Sequence, residues 1–154
     1  MDEFRRAFGV ALAMLSRRDR SEAEIRRGLS AKGFADRIIG DVVVRLGEAG
    51  YLDDRRFARA FAESAILNGR GYGFRLLHDL SRRGVDEATI ADILDELGAE
   101  YDELAVLSEL MARKFADFDP MTADERRRRR VAGYFQRRGF SLAAISQVMR
   151  DREG

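Results

Sequence analysis

One segment occurs three times along the chain, and the three copies align without gaps around a central glycine. The glycines are Gly33, Gly84 and Gly139, which stand 51 and 55 residues apart. A period of this length is typical of tandem arrays of small helical units that bury their apolar faces against their neighbours. The aligned segments are EIRRGLSAKGFADRIIGDVVVRL (24–46), RLLHDLSRRGVDEATIADILDEL (75–97) and RVAGYFQRRGFSLAAISQVMRD (130–151).

Both sides of each glycine have the apolar periodicity of an α-helix. Before the glycine, two apolar residues stand four apart, and after it apolar residues recur at the spacing of one helix face. The glycine is predicted to stand just past the first helix end, where the left-handed backbone conformation is cheap only without a Cβ atom. The periodic residues are Ile25/Leu29, Leu76/Leu80 and Val131/Phe135 before the glycines, and Ile39/Val42/Val43/Leu46, Ile90/Ile93/Leu94/Leu97 and Ile145/Val148/Met149 after them.

A third amphipathic stretch precedes each pair, over residues 4–16, 53–67 and 100–115. The chain is therefore predicted to be all-α, with nine helices in three tandem three-helix repeats. Because such repeats contact mainly their neighbours, an elongated, curved modular protein is expected. The predicted repeats cover residues 1–50, 51–98 and 99–154.

Helix starts are marked by residues that favour the N-cap position. Two capping-box patterns are present, Ser21-x-x-Glu24 and Thr122-x-x-Glu125. The second pattern places the arginine run 126–130 in the first turns of a helix rather than in a disordered tail. Further predicted caps are Asp53, Asp86 and Ser141.

Composition argues against most classes of enzyme. The chain has no cysteine and a single histidine, His78. It therefore lacks the residues that a catalytic triad, a thiolate nucleophile or a His-rich metal site requires. The stretch NGRGYG (68–73) follows a helix and lacks the spacing of a phosphate-binding loop. No apolar run approaches the roughly 20 residues that span a bilayer. We therefore expect a protein that is not an enzyme, with no catalytic residue, no cofactor, no metal and no membrane association.

Charge is distributed unevenly along the chain, although the formal net charge is only +1. Residues 86–121 carry 2 basic and 11 acidic side chains, whereas the segments on either side each have a net charge of +5. A near-neutral total argues against binding to DNA by bulk charge alone. The acidic residues Asp92, Asp95 and Glu96 mark either a solvated face or a surface for a basic partner.

The arginines of the third repeat fall on two faces when they are placed at about 100° per residue around a helix. With Val131 facing the core, Arg127 and Arg128 flank the core edge, where their stems can pack while their heads reach water. Three others fall within about 40° of each other and more than 90° from Val131, on the exposed side. This predicted basic stripe consists of Arg126, Arg130 and Arg137.

The second repeat has arginines at the repeat positions of Arg130 and Arg137, and the first repeat does not. Guanidinium groups bind phosphates and carboxylates equally well, so the stripe alone leaves a DNA backbone and an acidic protein surface both open. The residues predicted to bind a partner or DNA are Arg75, Arg82, Arg126, Arg130 and Arg137.

Aromatic side chains give no clear sign of base stacking. Tyr51, Phe57 and Phe61 lie on periodic apolar faces and are predicted to be core residues. Tyr72 and Tyr134 are open between the two roles. Stacking on bases would require exposed rings interleaved with cations, and no such series is present.

Several motifs together resemble the RecX family of bacterial regulatory proteins. They are SRRDRSEAEIRRGLSAKGF (16–34), YLDDRRFA (51–58) with RLLHDLSRRGVD (75–86), and RRRRRVAGYFQRRGFSLAAI (126–145). The resemblance covers about residues 8–151. It implies a cytoplasmic protein that binds the RecA recombinase filament on single-stranded DNA and modulates it, most often by inhibiting ATP hydrolysis and strand exchange. A monomer is expected.

Two readings from other classes remain open. The first is a helical DNA-binding regulator that acts without RecA, since short helices joined by glycine turns superficially resemble helix-turn-helix units. That class requires base-reading side chains on a recognition helix. The helices predicted after each glycine are acidic or apolar, which weighs against it. The second is a structural repeat scaffold with no effect on DNA.

Overall fold

The predicted all-helical secondary structure is confirmed. In a computed structural model, residues 2–153 form nine α-helices and contain no strand, and side chains are described for residues 2–151. Some boundaries differ from the prediction, since the sixth helix continues to residue 100 and the seventh begins at 103. The helices are α1 (Glu3–Arg17), α2 (Glu22–Ala31), α3 (Asp36–Glu48), α4 (Asp54–Leu67), α5 (Gly73–Arg82), α6 (Glu87–Glu100), α7 (Glu103–Lys114), α8 (Glu125–Arg137) and α9 (Leu142–Glu153).

The described residues pack as two compact units. The first unit comprises residues 2–60 with 80–90, and the second comprises residues 61–79 with 91–153. Helices α4, α5 and α6 therefore each contribute residues to both units. The repeat boundaries after residues 50 and 98 stay a prediction from the sequence alignment.

The core of the first unit lies among α1, α2 and α3, which pack against one another. The small residues Ala7 and Ala11 are fully buried on α1, and this allows the larger side chains of α2 and α3 to approach it closely. The core residues are Ala7, Ala11, Ile25, Leu29, Phe34, Ile38, Ile39, Val42, Val43, Leu46 and Leu52.

The core of the second unit lies among α7, α8 and α9. Phe135 is buried at its centre and makes edge-to-face contacts with Phe115 and Phe140, with ring centroids 5.6 and 6.0 Å away. Val131 is buried one turn earlier on α8, as the periodicity predicts. The core residues are Leu107, Leu110, Met111, Phe118, Val131, Phe135, Phe140, Ala144, Ile145 and Val148.

Each repeat glycine ends its helix in the same hydrogen-bonded turn, as predicted. Gly84 has a φ of +84°, and its N–H donates to the carbonyl oxygen of Ser81 at 3.0 Å. The N–H of Val85 donates to the carbonyl oxygen of Leu80 at 3.2 Å. This pair of bonds satisfies carbonyl groups that a helix end leaves open. The same two bonds recur at Gly33 and Gly139.

Replacing Gly84 with valine is expected to lower the free energy of unfolding by about 2–4 kcal/mol. A Cβ atom there would overlap the Cβ of Ala23, and a β-branched residue disfavours the left-handed conformation. Chemical denaturation followed by circular dichroism measures the loss. Gly33→Val is the matched control, because a Cβ on Gly33 meets nothing within 4 Å. An unshifted unfolding curve for Gly84→Val would refute the role of this turn.

The predicted capping box of α2 is present. Ser21 Oγ accepts a hydrogen bond from the N–H of Glu24, whose carboxylate accepts one from the N–H of Ser21, both at 3.1 Å.

The prediction that Tyr51 is a core residue is wrong. Tyr51 is 53% exposed, whereas Leu52 is buried. Gly50 reverses the chain after α3 with a φ of +81°, so the core position falls to the residue after Tyr51.

Of the other two aromatic residues predicted to lie in the core, Phe57 is confirmed. Phe57 is buried at 5% exposure, and Phe61 is half-buried.

Candidate interaction surface

Helix α8 carries the arginine run, but it begins two residues later than the Thr122 cap predicts. The observed N-cap is Asp124, whose carboxylate accepts a hydrogen bond from the N–H of Arg127 at 2.8 Å. Thr122 is instead part of the preceding turn, where its N–H donates to the carbonyl oxygen of Asp119. The Thr122-x-x-Glu125 prediction is therefore wrong, while the helical placement of the arginines is confirmed.

Two of the arginines on α8 support the packing of the preceding turn. Arg128 Nε donates to the carbonyl oxygen of Pro120 at 2.8 Å. The Arg127 guanidinium lies 5.9 Å from the centroid of the Phe118 ring and 3.5 Å from the carboxylate of Asp117. Both side chains are half-buried, as their positions near the core edge predict. Only part of each of these two side chains is therefore exposed to a partner.

The three arginines of the predicted stripe are exposed. They span 12 residues of α8, from Arg126 to Arg137, or about 16 Å at the rise of an α-helix. No carboxylate of the residues whose side chains are described pairs with Arg126, Arg130 or Arg137. Their neighbour Arg129 is exposed too, but it pairs with Glu125 at 3.0 Å.

Arg75 lies beside the end of this stripe. Its Nη1 donates to the carbonyl oxygen of Arg137 at 3.5 Å, and the N–H of Tyr72 donates to the carbonyl oxygen of Arg138 at 2.8 Å. The start of α5 therefore rests on the turn after α8. We define the arginine surface as Arg75, Arg126, Arg130 and Arg137.

Gly139 makes this junction possible. Its φ is +100°, and a Cβ atom there would overlap the carbonyl oxygen of Tyr72 and lie 2.7 Å from the backbone nitrogen of Arg75. Only a glycine allows the two backbones to approach this closely. One arginine of the surface is thus held in place by a residue that carries no side chain.

A carboxylate reduces the positive charge of the arginine surface at Arg75. Arg75 Nε is 3.1 Å from the carboxylate of Asp79, which partly neutralises it.

Arg82, the fifth residue predicted to bind a partner or DNA, belongs to the first unit, and its side chain is exposed. Its carbonyl oxygen accepts a hydrogen bond from Arg27 Nη2 at 3.4 Å.

Three exposed apolar side chains in and just before α5 did not follow from the sequence periodicity. Phe74 is 73% exposed, and Leu67 and Leu77 are also exposed. A signal was available, because Phe74 stands about 160° around α5 from the buried Leu76. A large aromatic side chain next to exposed cations is typical of sites that anchor a protein partner.

The tyrosines left open by the sequence differ in their surroundings. Tyr72 stacks on Phe140 with ring centroids 5.3 Å apart, and its hydroxyl donates to the carbonyl oxygen of Tyr101 at 2.6 Å. Burial raises the pKa of Tyr72, and the carboxylates of Glu103 and Asp102 raise it further. Tyr72 is therefore a packing residue. Tyr134 is half-buried beside two cations, Lys114 and Arg138.

The first acids of α7 have structural roles. Asp102 is the N-cap of α7, and its carboxylate accepts a hydrogen bond from the N–H of Ala105 at 3.0 Å. Glu103 accepts hydrogen bonds from the N–H and hydroxyl of Ser141 at 2.9 and 3.1 Å. Among the residues described, no cluster of three acidic or histidine side chains could hold a metal ion. No described helix is both long and apolar enough to cross a membrane.

Three family models match the chain in order. They describe the first, second and third three-helix domains of RecX and cover residues 7–46, 53–94 and 100–149. Together with the nine helices formed by residues 2–153, these matches confirm an all-α fold of three three-helix domains.

Curated relatives and solved structures agree with these matches. The chain is 43% identical to regulatory protein RecX of Trichlorobacter lovleyi over 90% of each chain, and 38% identical to that of Syntrophotalea carbinolica over 92% of each. The crystal structure of RecX from Lactobacillus salivarius matches 99% of this chain and 97% of its own, with a TM-score of 0.76 at 18% identity. The chain belongs to the RecX family of regulatory proteins.

Proposed function

We propose that this protein binds the RecA recombinase filament on single-stranded DNA, in the cytoplasm, and inhibits its ATP hydrolysis and strand exchange. The observation that carries the proposal is 43% identity to a regulatory protein RecX over 90% of the chain. No catalytic residue is required, because the effect on the recombinase comes from binding alone.

The arginine surface supports binding to such a filament. Its guanidinium groups are exposed, and three of the four have no carboxylate partner among the described side chains. Arginine forms bidentate hydrogen bonds with phosphates and with carboxylates, and a protein filament on DNA presents both. The exposed ring of Phe74 adds an apolar contact next to Arg75, and this combination favours a protein partner as one component of the site.

Inhibition follows if the protein binds one conformation of the filament more tightly than another. A ligand shifts a conformational equilibrium only by its difference in affinity for the two states. A protein that contacts neighbouring recombinase protomers at once would favour the arrangement that it fits and would oppose the changes that accompany ATP turnover.

The test compares two forms of the same labelled single strand by fluorescence anisotropy. One form is bare, and the other is coated with the cognate RecA and a slowly hydrolysed ATP analogue. ATP hydrolysis is followed in parallel with ATP. We expect a strong preference for the coated strand and a fall in hydrolysis. Equal or tighter binding to the bare strand with unchanged hydrolysis would instead support a DNA-binding regulator that acts without RecA.

A further inference from the structure

A cleft of about 230 Å³ lies in the second unit between the α4–α5 loop, α7 and α8. Its apolar floor is formed by the buried side chains of Leu110 and Phe135. Gly69 lines one wall, and a Cβ atom there would lie 2.6 Å from a methyl group of Leu110, so the loop is packed tightly against α7. One wall of the cleft is therefore loop backbone that lies directly against α7.

The mouth of the cleft carries cations without counter-charges. Arg113 and Lys114 are both exposed and line the cleft. No carboxylate of residues 2–151 pairs with either of them. Both stand in the last turn of α7, where the helix dipole favours a positive charge.

Tyr134 brings a third cation to the same place. The Arg138 guanidinium lies 4.7 Å from the centroid of the Tyr134 ring, and Lys114 Nζ lies 5.6 Å from it. Arg138 Nη2 also donates to the Tyr134 hydroxyl at 3.1 Å. Because this hydroxyl accepts a hydrogen bond from a cation, its own proton is left to donate to a further acceptor.

The charged and hydroxyl groups around the ring of Tyr134 thus act as hydrogen-bond donors, and the cleft's lining contains no carboxylate. Such a set selects an anion with several acceptor oxygens and repels metal ions. The aromatic ring and the apolar floor suit an anion that carries a ring system or a sugar, rather than a small inorganic ion alone.

We propose that this cleft binds a phosphate group of a nucleotide, with Arg113, Lys114 and the Tyr134 hydroxyl as its donors. The nucleotide is either part of a single strand or a free nucleoside phosphate, and the shared chemistry is the phosphate with its attached sugar. The site lies outside the arginine surface and requires no recombinase, so its binding can be measured on the protein alone.

Nuclear magnetic resonance titration of the ¹⁵N-labelled full chain tests the proposal. The probes are an oligo(dT) of twelve nucleotides, ATP and a hexamer of glutamate, with the amide signals of Gly69, Lys114 and Tyr134 as reporters. We expect saturable shifts with at least one of the two phosphate probes. Tighter binding of oligo(dT) identifies a strand as the ligand, and tighter binding of ATP identifies a free nucleotide. Shifts that are absent with both, or equal with the glutamate hexamer, would overturn the proposal.

Two variants separate the site from bulk charge. The double variant Arg113→Gln/Lys114→Gln should bind the preferred phosphate probe about tenfold or more weakly. Its matched control is Arg37→Gln/Arg45→Gln, which removes the same charge from exposed positions of α3 and should change affinity less than about twofold. Tyr134→Phe keeps the ring and all charges but should weaken binding about fivefold. Equal loss in the double variant and its control, or full affinity in Tyr134→Phe, would count against the assigned donors.

These outcomes are distinguishable from failure of the proposed regulation of RecA. The titration contains no recombinase, and the filament assay does not depend on phosphate binding in the cleft. A protein that inhibits the filament but shows no phosphate-dependent shifts would lose the cleft proposal and keep the regulatory one.

Discussion

The Gly139→Ala variant is expected to lose about 3–5 kcal/mol of unfolding free energy. The left-handed conformation at φ +100° costs a residue with a Cβ atom about 1–2 kcal/mol. The remainder comes from the junction, because the added methyl group overlaps the carbonyl oxygen of Tyr72 and crowds the nitrogen of Arg75. The backbone must move apart there, which removes the hydrogen bond from Tyr72 N–H to Arg138, worth about 1 kcal/mol.

Urea denaturation followed by circular dichroism measures this loss, and hydrogen exchange locates it. Faster exchange is expected in the second unit, at residues 61–79 and 91–153, with little change in the first. Gly33→Ala is the matched control, since it stands at the equivalent repeat position with open space around it and should lose only about 1–2 kcal/mol. Similar losses in the two variants would mean that the close approach at Gly139 contributes nothing to stability.

Reversing the charge of the stripe on α8 is expected to abolish inhibition of the recombinase. The triple variant Arg126→Glu/Arg130→Glu/Arg137→Glu replaces three exposed cations by anions on one side of α8. Loss of several charge-assisted contacts, together with repulsion from phosphate or carboxylate, should weaken binding to the coated strand by about 100-fold or more. Helicity should remain intact, since these side chains are exposed and the core residues Val131 and Phe135 are unchanged.

A charge-matched variant distinguishes the stripe from a general effect of net charge. Arg5→Glu/Arg37→Glu/Arg45→Glu makes the same change of charge at three exposed positions of the first unit. It should inhibit nearly as well as the parent protein. Full inhibition by the stripe variant would exclude a role for these arginines, and equal loss in both variants would show that bulk charge alone governs binding.

Local rules of chain geometry predicted most of the helices and their ends. The periodicity around Gly33, Gly84 and Gly139 predicted six helices, and the same two hydrogen bonds close the turn at each glycine. These features depend on neighbours within five residues, so the sequence contains all the information they need. The errors lie where local signals compete. Thr122 and Asp124 are both good caps, and the turn closed by Asp119 occupies the backbone of Thr122.

Helix angle also predicted which arginines on α8 face solvent. Arg126, Arg130 and Arg137 are exposed, while Arg127 and Arg128 pack against the preceding turn. This worked because one buried residue, Val131, is enough to orient a regular helix. The identities of the groups that Arg127 and Arg128 contact did not follow from it, because they belong to an irregular segment.

The sequence by itself determined the all-α class, the three repeated units, the glycine turns and the exposed stripe, because each depends on residues close together in the chain. Tertiary structure alone placed Arg75 beside Arg137 and gathered Arg113, Lys114 and Tyr134 around one cleft. These groups come from segments separated by 20 to 62 residues, and no periodicity relates their positions. Their approach depends on which backbones can pack closely, and at Gly139 that is decided by the absence of a single Cβ atom.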